Sequence, residues 1–158
     1  MLDTDKNRHD ISVLNSLIAT TLDSVDGYRR SADEATDHRF ASEFRASAQE
    51  REQVVRALQQ EVRRLGGDPE DDGSVLAAAH RMFLTLRDRV TGSDDKSVLD
   101  EVDRGETYLD EKWHAALNDD KLSPEVRAVI SSHHQSVHSG RQKWEAINRS
   151  METSGSEY

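Results

Sequence analysis

The sequence predicts an all-α protein: four long helices in one bundle, with an additional crossover helix between the second and the third. Apolar residues recur at spacings of three, four and seven, the period of one helical face. Hydrophobic residues make up only 34% of the chain, which suits long helices that each bury a narrow stripe. The two prolines and most of the eight glycines fall between the periodic segments, where they end helices.

The first helix is expected over about residues 7–36, with Ile11, Leu14, Ile18, Leu22, Val25 and Ala32 on its stripe. After a polar hinge at Asp37-His38, the second (39–65) carries Phe40, Phe44, Ala48, Val55, Leu58, Val62 and Leu65. Gly66-Gly67 stops it, and Pro69 lies just beyond. Asp68 to Gly73 reads as a loop. Ser74 can cap a shorter helix over 74–91, with Leu76, Ala79, Phe83, Leu86 and Val90 on one face. Gly92-Ser93-Asp94-Asp95 breaks the pattern again before a helix over 95–118, marked by Leu99, Val102, Leu109 and Trp113. Ser123-Pro124-Glu125 starts the last helix (124–152): a cap, a proline at the first helical position and an acid in the first turn. That helix carries Val126, Ile130, Val137, Trp144 and Ile147, and the polar tail from Thr153 is expected to fray.

Short loops make antiparallel neighbours, so the chain forms two hairpins, 7–65 and 95–152, within a single domain of 158 residues. If both belong to one bundle, the 29 residues 66–94 between them must cross over, which is the ferritin-like topology.

A net charge of -10 argues against nucleic acid as a partner, because phosphate contacts need a basic face. Much of that charge reads as a solvated helix surface. With no cysteine there is no disulfide, thiolate metal site or cysteine nucleophile. Residues 1–10 hold no apolar run, so no secretory signal is expected. No stretch approaches the roughly 18 apolar residues that span a bilayer. The expectation is a cytoplasmic protein with no membrane partner.

Several charges fall where apolar residues belong. At 100° per residue, Glu106 sits between Val102 and Leu109 and points inward. Arg51 lies at the centre of the second stripe, between Phe44 and Leu58, with Glu50 at the edge. His133 falls near the centre of the last stripe and His134 at its edge, while Arg141 follows Val137 by one turn. Arg29 lies beyond Val25 on the first stripe, with Asp26 to one side. Folding each hairpin about its loop puts Asp26 level with Glu50, and Glu106 level with about residue 137, between His134 and His138.

A buried charge must be paired or bound to a metal. One solution is a di-iron or di-manganese carboxylate site, with Asp26, Glu50, Glu106, His133, His134 and His138 as candidate ligands. Such a site takes one Glu from each of two helices and a Glu-x-x-His from each of the others. Here Glu50-Arg51-Glu52-Gln53 has glutamine in place of histidine, and Gln135-Ser136-Val137-His138 has glutamine in place of glutamate. The intact Glu111-Lys112-Trp113-His114 turns Glu111 away from the stripe. The preferred solution is a structural ion pair in which Arg51 neutralises Glu106. Arginine's planar fork suits a buried carboxylate and repels a divalent cation.

Tyr28, Trp113 and Trp144 lie on or beside the stripes and read as core. His9, His38 and His114 lie near helix ends, and His80-Arg81 reads as docking for the crossover helix. No phosphate-binding loop, nucleophile elbow or metalloprotease motif is present.

Leu14-Asn15-x-Leu17-Ile18, Gly27-Tyr28, Glu50-Arg51, Leu65-Gly66-Gly67-x-Pro69, Gly73-Ser74, His80-Arg81 and Arg104-Gly105-Glu106 occur in this order. In these the chain resembles an uncharacterised bacterial family of ferritin-like four-helix-bundle proteins, a domain of unknown function, over about residues 11–148. The resemblance implies a ferritin-like bundle in bacterial cytoplasm, with no assigned activity. The family's acid-rich Glu-Arg-Gly-Glu-Asp run is altered here at Asp103 and Thr107. Its His-Asp pair in the last helix is replaced by Arg141-Gln142. His133 points inward and could substitute for a lost ligand; His134 or His138 could do so only if the helix turns them.

The preferred expectation is a non-enzymatic bundle, a homodimer with a stress-related or scaffolding role and no cofactor. The alternative is a metal-binding oxidoreductase or iron handler using iron or manganese. A third reading is an adaptor that docks a partner helix of unknown identity.

Overall fold

The computed structural model describes residues 4–73 and 94–155. They form four helices: α1 (Thr4–Glu34), α2 (His38–Arg64), α3 (Asp95–Leu117) and α4 (Pro124–Gly155). No strand occurs among the described residues. The crossover helix expected over 74–91, with its Ser74 cap and His80-Arg81, lies outside them. Helix α4 runs to Gly155, past Thr153 where fraying was expected.

Local chemistry sets the helix ends. Asp37 caps α2, its Oδ1 accepting from the Arg39 amide at 2.8 Å. Gly66 adopts φ 84, and its amide donates to the Arg63 carbonyl while that of Gly67 reaches back to Val62, both at 2.9 Å. This double closure needs a left-handed residue at Gly66, which glycine supplies without steric cost. Asp94 caps α3 by accepting from the Ser97 amide at 2.7 Å. Ser123 Oγ accepts from the Val126 amide at 3.3 Å, ahead of Pro124 at the first position of α4.

Contacts between the ends fix the topology. Asp95, at the start of α3, accepts from the Thr36 amide (2.8 Å) and hydroxyl (2.9 Å), beside the turn between α1 and α2. At the opposite end, His9 meets Asp119 at 2.8 Å, and Asp10 accepts from the Ser123 amide at 3.0 Å. Helix α3 therefore runs antiparallel to α1 and parallel to α2. The chain leaves α2 at one end of the bundle and enters α3 at the other, a separation of about 40 Å for a helix the length of α2. This is the ferritin-like connectivity. Asn15 and Gln59 tether the first part of the crossing: Asn15 bonds the Asp68 carbonyl and the Glu70 amide, and Gln59 bonds the Glu70 carbonyl.

Around the bundle, α1 packs on α2 and α3, and α4 packs on α3 and α2. The buried side chains form two clusters. One includes Leu14, Ile18, Leu58, Val62, Leu109, Trp113, Val126 and Ile130. The other includes Val25, Tyr28, Phe44, Leu99, Val102 and Trp144. Phe44 and Trp144 stack with centroids 4.5 Å apart. Both tryptophans are fully buried and their indole N–H groups are satisfied, Trp113 by Thr21 at 3.1 Å and Trp144 by Ser47 at 3.2 Å. No helix among the described residues is long and apolar enough to cross a membrane.

Candidate functional site

Between the two apolar clusters lies a polar layer to which all four helices contribute. Arg51 of α2 and Glu106 of α3 have side chains only 3% exposed. Their contact is bidentate: Arg51 Nη1 donates to Glu106 Oε1 at 2.9 Å, and Nη2 to Oε2 at 2.6 Å. Nη1 also donates to Ser24 Oγ of α1 at 2.9 Å, and Nη2 to the Val137 carbonyl of α4 at 3.3 Å. The guanidinium lies over the Tyr28 ring, 5.6 Å from its centroid. Burial alone would lower the Arg51 pKa, but Glu106, Tyr28 and Glu50 outweigh it and the value is raised. The pair is a fixed-charge contact, since arginine does not give up its proton in proteins.

Gly140 makes room for it. A Cβ built there would lie 2.5 Å from Arg51 Nη2 and 3.5 Å from Glu106 Oε2. Residue 140 is helical and not at positive φ, so the need for glycine comes from the pair rather than from the backbone.

Tyr28 closes the layer. Its hydroxyl is buried without a hydrogen-bond partner among the described residues. Burial first, then the Glu106 carboxylate, hold the phenol well above its usual 10.0, against the opposing pull of Arg51. A group raised in the folded state contributes fully below its unfolded pKa, and the contribution is lost as pH rises through the folded value. Folding stability should therefore decline above about pH 10, and Tyr28→Phe should lessen that decline while leaving neutral-pH stability nearly unchanged. Denaturant midpoints of both chains across the alkaline range test this; identical declines would count against it.

A second polar cluster lies on the seam between α3 and α4. Asp110 of α3 accepts from His134 Nε2 at its Oδ1 (3.0 Å). Its Oδ2 accepts from His138 Nδ1 (3.1 Å) and Arg141 Nη1 (2.7 Å). Burial would raise the Asp110 pKa, but Arg141, His138 and His134 outweigh it and lower the value. The side chain of Asp110 is 7% exposed, that of His134 21% and that of His138 46%. The His114 ring lies 6.4 Å from that of His134, centroid to centroid.

The six side chains expected as metal ligands are thus not brought to one place. Both oxygens of Glu106 are held by Arg51. Glu50 is exposed, because Arg51 occupies the inward position and its neighbour is turned by about 100°. Asp26 and His133 are half-buried, and neither belongs to a group of three or more metal-capable side chains among the described residues. His134 and His138 do belong to one, completed by Asp110, which was not among the expected ligands. The exposed run Glu70, Asp71 and Asp72 forms the other. Arg29, expected on the first stripe, is exposed and pairs with Glu52. The signal for Asp110 was its place one turn after Glu106 and three residues before Trp113, at the edge of the stripe.

Residues 9–119 match the family described as "Domain of unknown function (DUF2383)", a span holding Arg51, Glu106 and Asp110. The chain belongs to the DUF2383 family. Its fold is also similar to one in the crystal structure of a two-domain protein from Anabaena variabilis, described as containing DJ-1/ThiJ/PfpI-like and ferritin-like domains. The TM-score is 0.72 at 11% identity, over 93% of this chain and 38% of that one. At that identity the likeness establishes the fold alone. The DUF2383 chain spans well under two thirds of that protein's length. No curated protein sequence matches it. Within the DUF2383 chain, the ion pair lies inside the matched segment, whereas His134, His138 and Arg141 lie beyond it.

Proposed function

We propose that this DUF2383 domain is a non-enzymatic ferritin-like bundle, a scaffolding module whose centre is held by an ion pair in place of a dinuclear metal site. The observation that carries the reading is the bidentate Arg51–Glu106 contact, reached by groups from all four helices. A bundle-core metal site needs inward carboxylates and imidazoles with free lone pairs. Here the inward carboxylate of α3 has both oxygens engaged, and the inward residue of α2 is a cation that would repel a metal. Anaerobic ferrous titration of the tag-free protein carrying His134→Ala and His138→Ala should show no dinuclear iron centre, and admitting oxygen afterwards should give no iron-dependent oxygen uptake. Two irons per chain, lost on replacing Glu106, would overturn the reading.

Self-association as a homodimer is part of the same proposal. Tyr108 is the one large hydrophobic side chain exposed among the described residues, and its ring is 5.3 Å from Lys112 Nζ. An interface on the described helices would centre there. Light scattering at micromolar concentration should give a dimer that Tyr108→Glu dissociates; a monomer in the unmodified protein removes this part of the proposal.

A further inference from the structure

We infer that Asp110, His134 and His138 form a mononuclear site for a divalent first-row transition metal of the zinc class, on the seam between α3 and α4 and separate from the bundle centre. The three ligand atoms lie within 4.8 Å of one another. Two of the separations are 3.0 and 3.1 Å, from His134 Nε2 to Asp110 Oδ1 and from His138 Nδ1 to Asp110 Oδ2. Tetrahedral zinc with bonds of about 2.0–2.1 Å spaces its ligands roughly 3.3 Å apart. The two histidine–carboxylate separations therefore need open only slightly, and the remaining spread, up to 4.8 Å, closes by rotation of the partly exposed rings.

The placement follows from helix geometry. His134 and His138 are four residues apart in α4 and so share one face, the same i,i+4 spacing that gives a helix two imidazole ligands in zinc sites. Both rings approach the Asp110 carboxylate of α3. Two imidazoles and a carboxylate suit zinc and its neighbours better than the hard ions calcium or magnesium. The three protein ligands leave a fourth position for water, or for His114. Partial exposure of His134 and His138 gives the ion a way in, while burial of Asp110 keeps its carboxylate in place.

Metal entry changes the protons on the rings and leaves the bundle intact. An ionised carboxylate only accepts hydrogen bonds, so the nitrogens facing Asp110 carry protons in the metal-free state. To bind the ion, each neutral ring moves its proton to the other ring nitrogen and presents a lone pair. Arg141 meanwhile holds Asp110 Oδ2 at 2.7 Å and competes with the ion. This makes a prediction that a purely structural cluster would not share: removing Arg141 should tighten metal binding.

The test uses full-length, tag-free protein titrated with Zn(II) by calorimetry and with Co(II) by visible absorption. One ion per chain is expected, with the intense absorption bands of four-coordinate cobalt. Asp110→Asn, His134→Ala and His138→Ala should each weaken binding by at least about tenfold, the lower range for loss of even an outer-sphere partner. His133→Ala should leave binding unchanged, and Arg141→Ala should strengthen it. Circular dichroism of each variant separates loss of the site from loss of the fold. Absence of binding at micromolar metal, binding indifferent to these three residues, or weaker binding in Arg141→Ala would overturn the inference.

Discussion

Replacing Glu106 with alanine should lower folding stability by about 3–5 kcal/mol, the usual cost of removing one partner from a buried ion pair. Arg51 would keep its charge, because its proton is not lost in proteins, and among the described residues would retain only Ser24 Oγ and the Val137 carbonyl as acceptors. The penalty is that of a stranded cation in a layer closed above and below by apolar clusters. It is not a measure of what the intact pair contributes. Replacing the two together, as Arg51→Met with Glu106→Leu, should recover most of the loss, since well-packed apolar residues of similar volume often match a buried pair. Denaturant unfolding of the unmodified chain, Arg51→Met, Glu106→Leu and the double variant completes the cycle, with unchanged slopes showing that the unfolded state is not the cause. A loss below about 1 kcal/mol for Glu106→Ala would place the pair in solvent, where ion pairs contribute that little.

The same pair shows why part of this site was legible in the sequence. Glu106 and Arg51 each occupy the centre of an apolar stripe, the position that most favours the core, and both are buried; His133, near the centre of the last stripe, is only half-buried. Two inward charges of opposite sign on different helices have one economical solution, and they meet. The helix limits were legible for a similar reason, because Gly66-Gly67 and Ser123-Pro124 end or begin helices through chemistry within a few residues. The expected 39–65 and 95–118 accordingly became His38–Arg64 and Asp95–Leu117.

Edges of stripes are different. Asp110, Glu50 and His134 all sit about one residue step from an inward position. Whether such a side chain meets a helix or water depends on which side the neighbouring helix packs. Periodicity within one helix carries no information about that. Asp110 was overlooked because it follows Leu109 directly, yet α4 packs on its side and turns His134, His138 and Arg141 toward it. Glu50 adjoins Arg51 in the same way, and no described helix covers it.

Gly140→Ala should be the second most damaging of these changes, costing about 1–3 kcal/mol as an overpacked core does. Taken alone, the substitution ought to help, because alanine is better than glycine inside a helix by roughly 0.5–1 kcal/mol. The new methyl, however, would lie 2.5 Å from Arg51 Nη2. A long side chain can usually swing clear of such an intruder. Arg51 cannot do so cheaply, because its guanidinium is held by Glu106, Ser24 and the Val137 carbonyl, and moving it breaks the buried pair. Gly27 and Gly105 supply the internal comparison: both are helical, and among the described residues a Cβ at either would meet nothing within 4 Å. Gly27→Ala and Gly105→Ala should therefore stabilise by the full helix term, through the reduced freedom of the unfolded chain. The sign of the Gly140 effect should also depend on Arg51. With a shorter side chain there, as in Arg51→Ala with Glu106→Ala, the added methyl should find space and become neutral or stabilising. Thermal and denaturant unfolding of the glycine variants in both backgrounds decides the matter. A Gly140→Ala chain as stable as Gly105→Ala would show that Arg51 yields freely and that the layer is looser than its geometry implies.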